Sequence, residues 1–224
     1  KTLLINTHVI EAAYQWEVPL LYTSSIAVYP ASRRRMAEEE MWNGQPHRAD
    51  WFAAHAKRAG EVQLEAMREA GWDDHVIIRP ANIYGPYDNF DAETGMVIGA
   101  LIRRARDGES PLKVWGNGKA VRDFIYADDV ARGMLLAMAG KRPATYNLGS
   151  NKGTSIMELV RHMQANIRGF PEVEWVPTEH SGQPYKVLDS TLAKEILKWN
   201  PIWELPKGMT FTANWHMLNR NLQS

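Results

Sequence analysis

The sequence predicts an α/β fold built on parallel strands, and three observations point to it. VPLLY at 18–22 and HVIIRP at 75–80 are short, continuous apolar runs, the pattern of strands buried on both faces. A helical stretch from about 51 to 70 lies between them and stops at Gly71. Strand, helix and strand in that order make a parallel pair joined by a crossover helix.

Taken in order, Leu3, Leu4, Val9, Ile10, Ala12 and Ala13 give a loose helical pattern over 3–15. The strand run VPLLYTSSIAVYP follows and ends in small polar residues, which puts a site at its carboxyl end. After a polar segment to about 50, the 51–70 helix leads into HVIIRP, stopped by Pro80. Ile98, Leu101, Ile102 and Ala105 set a helix ending near Gly108, and DDVARGMLLAMAG sets another, with Asp128 expected at its N-cap. TYNLGS reads as a strand. In TSIMELVRHM, Ser155 and Glu158 form a capping box, and Ile156, Leu159, Val160 and Met163 form the apolar stripe.

With 224 residues, the chain can bury a substantial core as one large domain or as a domain with a smaller lobe. Its 45% hydrophobic and 23% charged residues match a compact globular protein. Lys plus Arg equal Asp plus Glu at 26 each, so no overall field draws it onto nucleic acid or an anionic membrane. No apolar run is long enough to span a bilayer and no signal-peptide layout opens the chain, so the expected location is cytoplasmic. The absence of cysteine excludes disulfides, thiolate metal sites and a cysteine nucleophile. Histidines 8, 47, 55, 75, 162, 180 and 216 show no metal-ligand spacing, and no metal is expected.

A dinucleotide-binding sheet normally opens with a strand and a Gly-rich turn, yet neither GxGxxG nor GxxGxxG occurs here. The chain is therefore expected to be the later part of a larger domain. GNG at 116–118 reads as a tight turn, not a phosphate cradle. Trp199 and Trp203, beside Pro201, read as packing residues.

Four stretches carry the chemistry: SSIAVYP (24–30), the AHAKRAGE helix around Lys57, RPANIYGPYDNF (79–90) and VWGNGKAVRDFIYADDVA (114–131). In this order they resemble the extended short-chain dehydrogenases/reductases, specifically the NAD-dependent epimerase/dehydratase family acting on nucleotide sugars. VIGALIRR and PYKVLD strengthen the likeness to the GDP-sugar members. The resemblance implies a Rossmann-type parallel sheet over 1–82 and 121–150, without its Gly-rich unit, and a smaller substrate-binding lobe over 83–120 and 151–224. It also implies NAD or NADP as cofactor, a nucleotide-sugar substrate with GDP favoured, and a homodimer formed through two early helices.

By the same resemblance Ser25 orients a sugar oxygen, and Lys57 holds the cofactor ribose while its charge favours an ionised phenol nearby. Ser24 and Pro80 flank the cofactor. Asn82, Val97, Arg104, Trp115, Arg122 and Lys186 bind substrate: Arg104, Arg122 and Lys186 at the nucleotide or diphosphate, Asn82 at the diphosphate or sugar, and Val97 and Trp115 at the base. Arginine suits phosphate through its fixed fork of donors. The family's acid/base tyrosine precedes the lysine by four residues, about 40° around the helix. Ala53 stands there instead, through either an introduced exchange or a natural loss. His55, about 200° round from that position, is expected to face away. Ala27 and Met96 replace proton-exchanging residues of the 3,5-epimerising relatives, and Ile26 and Ala27 lack the dehydratases' acids. The chemistry left is C4 epimerisation through a 4-keto sugar or reduction of a 4-ketosugar, with a binding protein without catalysis as the alternative.

Overall fold

The computed structural model describes residues 1–140, 144–178 and 182–219. Helix α1 (Thr2–Gln15) leads into β1 (Leu20–Thr23), and α2 (Trp51–Glu69) returns the chain to β2 (His75–Pro80). Between β1 and α2, three short 3-10 turns carry the polar segment. β1 and β2 pair in parallel, with Leu21 opposite Val76, and β7 (Ala144–Leu148) pairs with β2 on its other side, with Ile78 opposite Tyr146. The central strand β2 is buried at all six positions, as a continuous apolar run requires.

The rest of the chain adds short pairings beyond this sheet. β3 (Asn82–Tyr84) runs parallel to β6 (Phe124–Tyr126), and β4 (Leu112–Trp115) to β9 (Val173–Val176). β5 (Val121–Arg122) lies between β8 (Thr154–Ser155) and β10 (Tyr185–Lys186). The remaining helices are α3 (Val97–Arg106), α4 (Ala127–Ala139), α5 (Ile156–Asn166), α6 (Thr191–Leu197) and α7 (Leu205–Leu218).

Three apolar clusters hold these layers together. Val76, Ile78, Leu148 and Trp199 belong to one beside the sheet, α4 and α6. Ile102, Leu112, Leu159 and Met209 belong to a second between α3, α5 and α7, and Ile10, Leu64 and Trp72 to a third that joins α1 to α2. Trp199 is fully buried and donates its indole N–H to the Asp129 carbonyl at 2.9 Å, so it packs, as does Trp203 against Tyr126.

Ser155 and Glu158 cap α5 reciprocally, as their spacing predicts. Asp128 does not cap α4. Tyr126 occupies that position and Asp128 lies in the first turn, where its charge still favours the helix N-terminus. Gly116 and Gly118 both have positive φ, in keeping with a tight turn. Among the described residues no helix is long and apolar enough to cross a membrane, and no cluster of three or more His, Asp or Glu could hold a metal. His180 lies outside the described residues.

Candidate active site

Helix α2 packs on the carboxyl end of β1. Tyr22 donates its hydroxyl to the Lys57 carbonyl at 3.2 Å and lies against Gly60, where an added Cβ would stand 2.3 Å from the phenol oxygen. That contact fixes the height of α2, and Lys57 then reaches across to donate its ammonium to the Thr23 carbonyl at 2.7 Å. Ser25 follows two residues later and is half-buried, its hydroxyl accepting from the Ala27 N–H at 3.1 Å to cap the 3-10 turn at 26–28. Lys57 and Ser25 are thus brought to the same strand end. Burial lowers the Lys57 pKa, and Glu61, one helical turn on, opposes that shift.

Ala53 is exposed on the first turn of α2, one turn before Lys57. His55 packs edge-on against Trp51, ring centroids 4.5 Å apart. Tyr29 is 1% exposed and locked, donating to Asn147 Oδ1 at 2.7 Å and accepting from Arg79 at 2.8 Å, and burial raises its pKa.

Beneath the strand end runs a buried polar network. Ser24 turns inward, donating to Glu61 Oε1, and the same carboxylate takes a fork of bonds from Arg79. Burial opposes the charge on Arg79, but Glu61 and Tyr29 outweigh it and its pKa is raised. Pro80 is buried at the end of β2, paired with Leu148. Asn82 begins β3 and donates its side-chain amide to the Asp123 carbonyl at 2.7 Å, lining with Val97, Met96 and Phe124 a small cavity.

A second group lies on the short strands. Arg122 and Lys186 are register partners on β5 and β10, and Lys186 holds Asp50 at 2.6 Å. Burial lowers both cations' pKa values, and Asp50 opposes the shift in each case. Asp50 immediately precedes α2, so the pair ties the helix bearing Lys57 to these cations. Arg122 also lines a cavity of about 590 Å³ with Trp115, Trp175 and Thr178, which neither Ser25, Lys57 nor Asn82 reaches. Arg104 stands outside it, with its guanidinium 4.8 Å above the Trp115 ring and its fork on both oxygens of Glu109.

Sequence reasoning missed Tyr22, Asp50, Glu61, Arg79 and Trp175. The spacing of Glu61 from Lys57 was a usable signal, since residues four apart share a helix face. Asp50 gave none, its partner being 136 residues away.

A crossover helix packed on a parallel sheet, with polar side chains at the strands' carboxyl ends, is the architecture of the short-chain dehydrogenase/reductase class. Within it, the chain belongs to the NAD dependent epimerase/dehydratase family, whose model matches residues 1–149. GDP-L-fucose synthase 1 of Arabidopsis thaliana is 31% identical over 97% of this chain and 69% of its own length. A dTDP-4-dehydro-6-deoxy-D-allose reductase of Streptomyces sp. is 32% identical over 88% of this chain and 60% of its own. The structure of UDP-glucose 4-epimerase with UDP-glucose from Thermotoga maritima superposes with a TM-score of 0.82 at 27% identity, covering 97% of this chain and 69% of that one.

Proposed function

We propose that the chain acts on nucleotide sugars as an NAD(P)-dependent C4 epimerase or 4-ketosugar reductase with a crippled proton-transfer step. The observation that carries this reading is the Lys57 ammonium held at the Thr23 carbonyl, two residues from Ser25. A half-buried cationic donor at the carboxyl end of a parallel strand suits a cofactor ribose, so the residues fit the dinucleotide that the family's description names. When bound, that cofactor supplies the removal and return of hydride at the sugar.

The chain's own residues divide the remaining work. Lys57 holds the ribose, with Pro80 and the backbone at Ser24 flanking the cofactor, and Ser25 donates to the sugar oxygen. Asn82 and Val97 contact substrate, Arg122 and Lys186 meet the diphosphate, and Trp115 the base. The name of the Arabidopsis relative favours a GDP-sugar. Ala53 leaves the acid/base position without an ionisable group, and Ala27 and Met96 offer no proton exchange for C3/C5 epimerisation. The exposed apolar residues Leu4, Ile5, Val9 and Val62 on α1 and α2 support a homodimer through those helices.

The test compares the chain with its Ala53→Tyr variant on UDP-glucose and on a GDP-linked 4-keto-6-deoxyhexose, following nicotinamide absorbance and sugar products. Turnover is expected to rise by at least about 100-fold, the contribution of a positioned general acid/base. The second reading, a nucleotide-sugar-binding protein without catalysis, draws support from Ala53 alone. Tight binding with no turnover in either protein favours it.

A further inference from the structure

We propose that the cleft between the loop at 85–95 and α7 is a second binding site, which stacks a neutral hexopyranose on Trp215 and Tyr87. It stands independently of the nucleotide-sugar reading, because none of Ser25, Lys57, Arg122 and Lys186 lines the cleft.

Three observations carry the assignment. Four rings form a ladder from the core to the surface: His216 lies on Phe90 with centroids 4.4 Å apart, Phe90 on Trp215 at 6.1 Å, and Trp215 meets Tyr87 at 4.6 Å. His216 and Phe90 are buried and hold the indole in place, while Tyr87 at the outer end is 80% exposed. The Tyr87 backbone also stands in the left-handed region, with φ 64°. A bulky residue is strained there where glycine is not, and a ring left in water offsets little of that strain by burial, so packing alone does not account for a tyrosine at this turn. Finally, the rings open on a cavity of about 340 Å³ whose remaining wall carries hydrogen-bonding groups of both kinds. Asp91 accepts from the Thr94 hydroxyl and N–H at 2.7 Å each and from the Glu93 N–H at 3.2 Å, all at Oδ1, which leaves Oδ2 open among the described residues. Arg103 donates Nε to Asp107 at 2.7 Å, and both its Nη groups are open among the described residues.

A pyranose has the matching surface. One face of its ring presents C–H bonds of partial positive charge to the negative face of an aromatic ring, and each of its hydroxyls both donates and accepts. Other occupants fit less well. Asp88 and Asp91 together outweigh Arg103 and oppose a phosphate, a hydrocarbon side chain leaves these charges without partners, and Arg103 repels a lysine or arginine. The volume stands at the lower end of small-ligand pockets, room for one sugar ring. A free monosaccharide and the end of a glycan share this chemistry.

The experiment is saturation-transfer NMR on the folded chain, titrating the methyl glycosides of glucose, galactose and mannose and an oligosaccharide ending in each, with and without saturating GDP. At least one is expected to bind at about 1–10 mM, to take up saturation mainly on one face of its ring, and to ignore GDP. Tyr87→Gly is expected to weaken binding at least about tenfold and to leave the melting temperature near that of the unmodified chain, because glycine accepts the backbone conformation that strains tyrosine. Tyr87→Phe keeps the ring and should bind within about twofold of the unmodified chain, and Asp91→Asn and Arg103→Gln should each weaken binding by about three- to tenfold. An oligosaccharide that binds at least about fivefold more tightly than its methyl glycoside identifies a glycan end as the occupant, and equal affinity identifies the free sugar. The assignment is overturned if the folded chain binds none of these sugars, if Tyr87→Gly binds them as well as the unmodified chain does, or if GDP displaces them. None of those three results bears on the turnover comparison at Ala53.

Discussion

Glu61 sits one helical turn past Lys57, and its buried carboxylate collects the Ser24 hydroxyl and the fork of Arg79. Removing that charge leaves a buried guanidinium without a counter-ion, so Glu61→Gln is expected to lower unfolding stability by about 3–5 kcal/mol. Urea titration measures it, and a loss under about 1 kcal/mol contradicts the buried-pair account. At this scale the sequence is readable where helical spacing puts residues on one face. Ala53 and Lys57 stand four residues apart, and Glu61 lies at the same interval on the other side of Lys57. Arg79 was hidden because an arginine inside an apolar run declares no partner. The resemblance implies a place for Arg104 at the nucleotide or diphosphate, and its bond to Glu109 depends on how the chain turns after α3.

Helix α2 rests on β1 through the contact between Gly60 and Tyr22, so the height of the helix depends on a missing methyl group. Gly60→Ala sets two effects against each other. Alanine favours the helix by about 1 kcal/mol, while a Cβ placed 2.3 Å from the phenol oxygen forces helix or ring to move, an overpacking cost of about 1–3 kcal/mol. The cost exceeds the gain, so the variant is expected to melt at lower temperature and to lose cofactor affinity, because Lys57 moves with the helix. A thermal scan with and without NAD checks both. The elements legible in the sequence are those with a full period or a continuous run: α1 to α5, β1, β2 and β7. β5, β8 and β10 are two residues long, too short for any alternation to register. α7 was obscured by Pro206, which reads as a breaker but occupies the first turn, where a missing N–H costs nothing.

Across the whole molecule, the Asp50–Lys186 pair links the start of α2 to the short-strand sheet. Asp50→Asn leaves Lys186, 9% exposed in its side chain, without its partner. Because Asp50 itself is partly solvated, the expected stability loss is modest, about 1–2 kcal/mol. Pyrophosphate affinity should rise in the same variant, since the incoming anion no longer competes with a carboxylate; calorimetry at fixed salt decides it. The overall α/β class was legible because the crossover unit lies within one contiguous stretch, whereas pairings such as β5 with β10 join residues more than sixty apart. Arg58 connects distant segments too, donating to the carbonyls of Val28, Met41 and Gly44. Those three lie on either side of the exposed run Arg33–Arg34–Arg35, an open target for trypsin. A single cut there should therefore give two bands on a denaturing gel yet one undivided particle on a sizing column, the fragments staying joined by the β1–β2 pairing and the α1–α2 packing, to which the Arg58–Val28 bond adds.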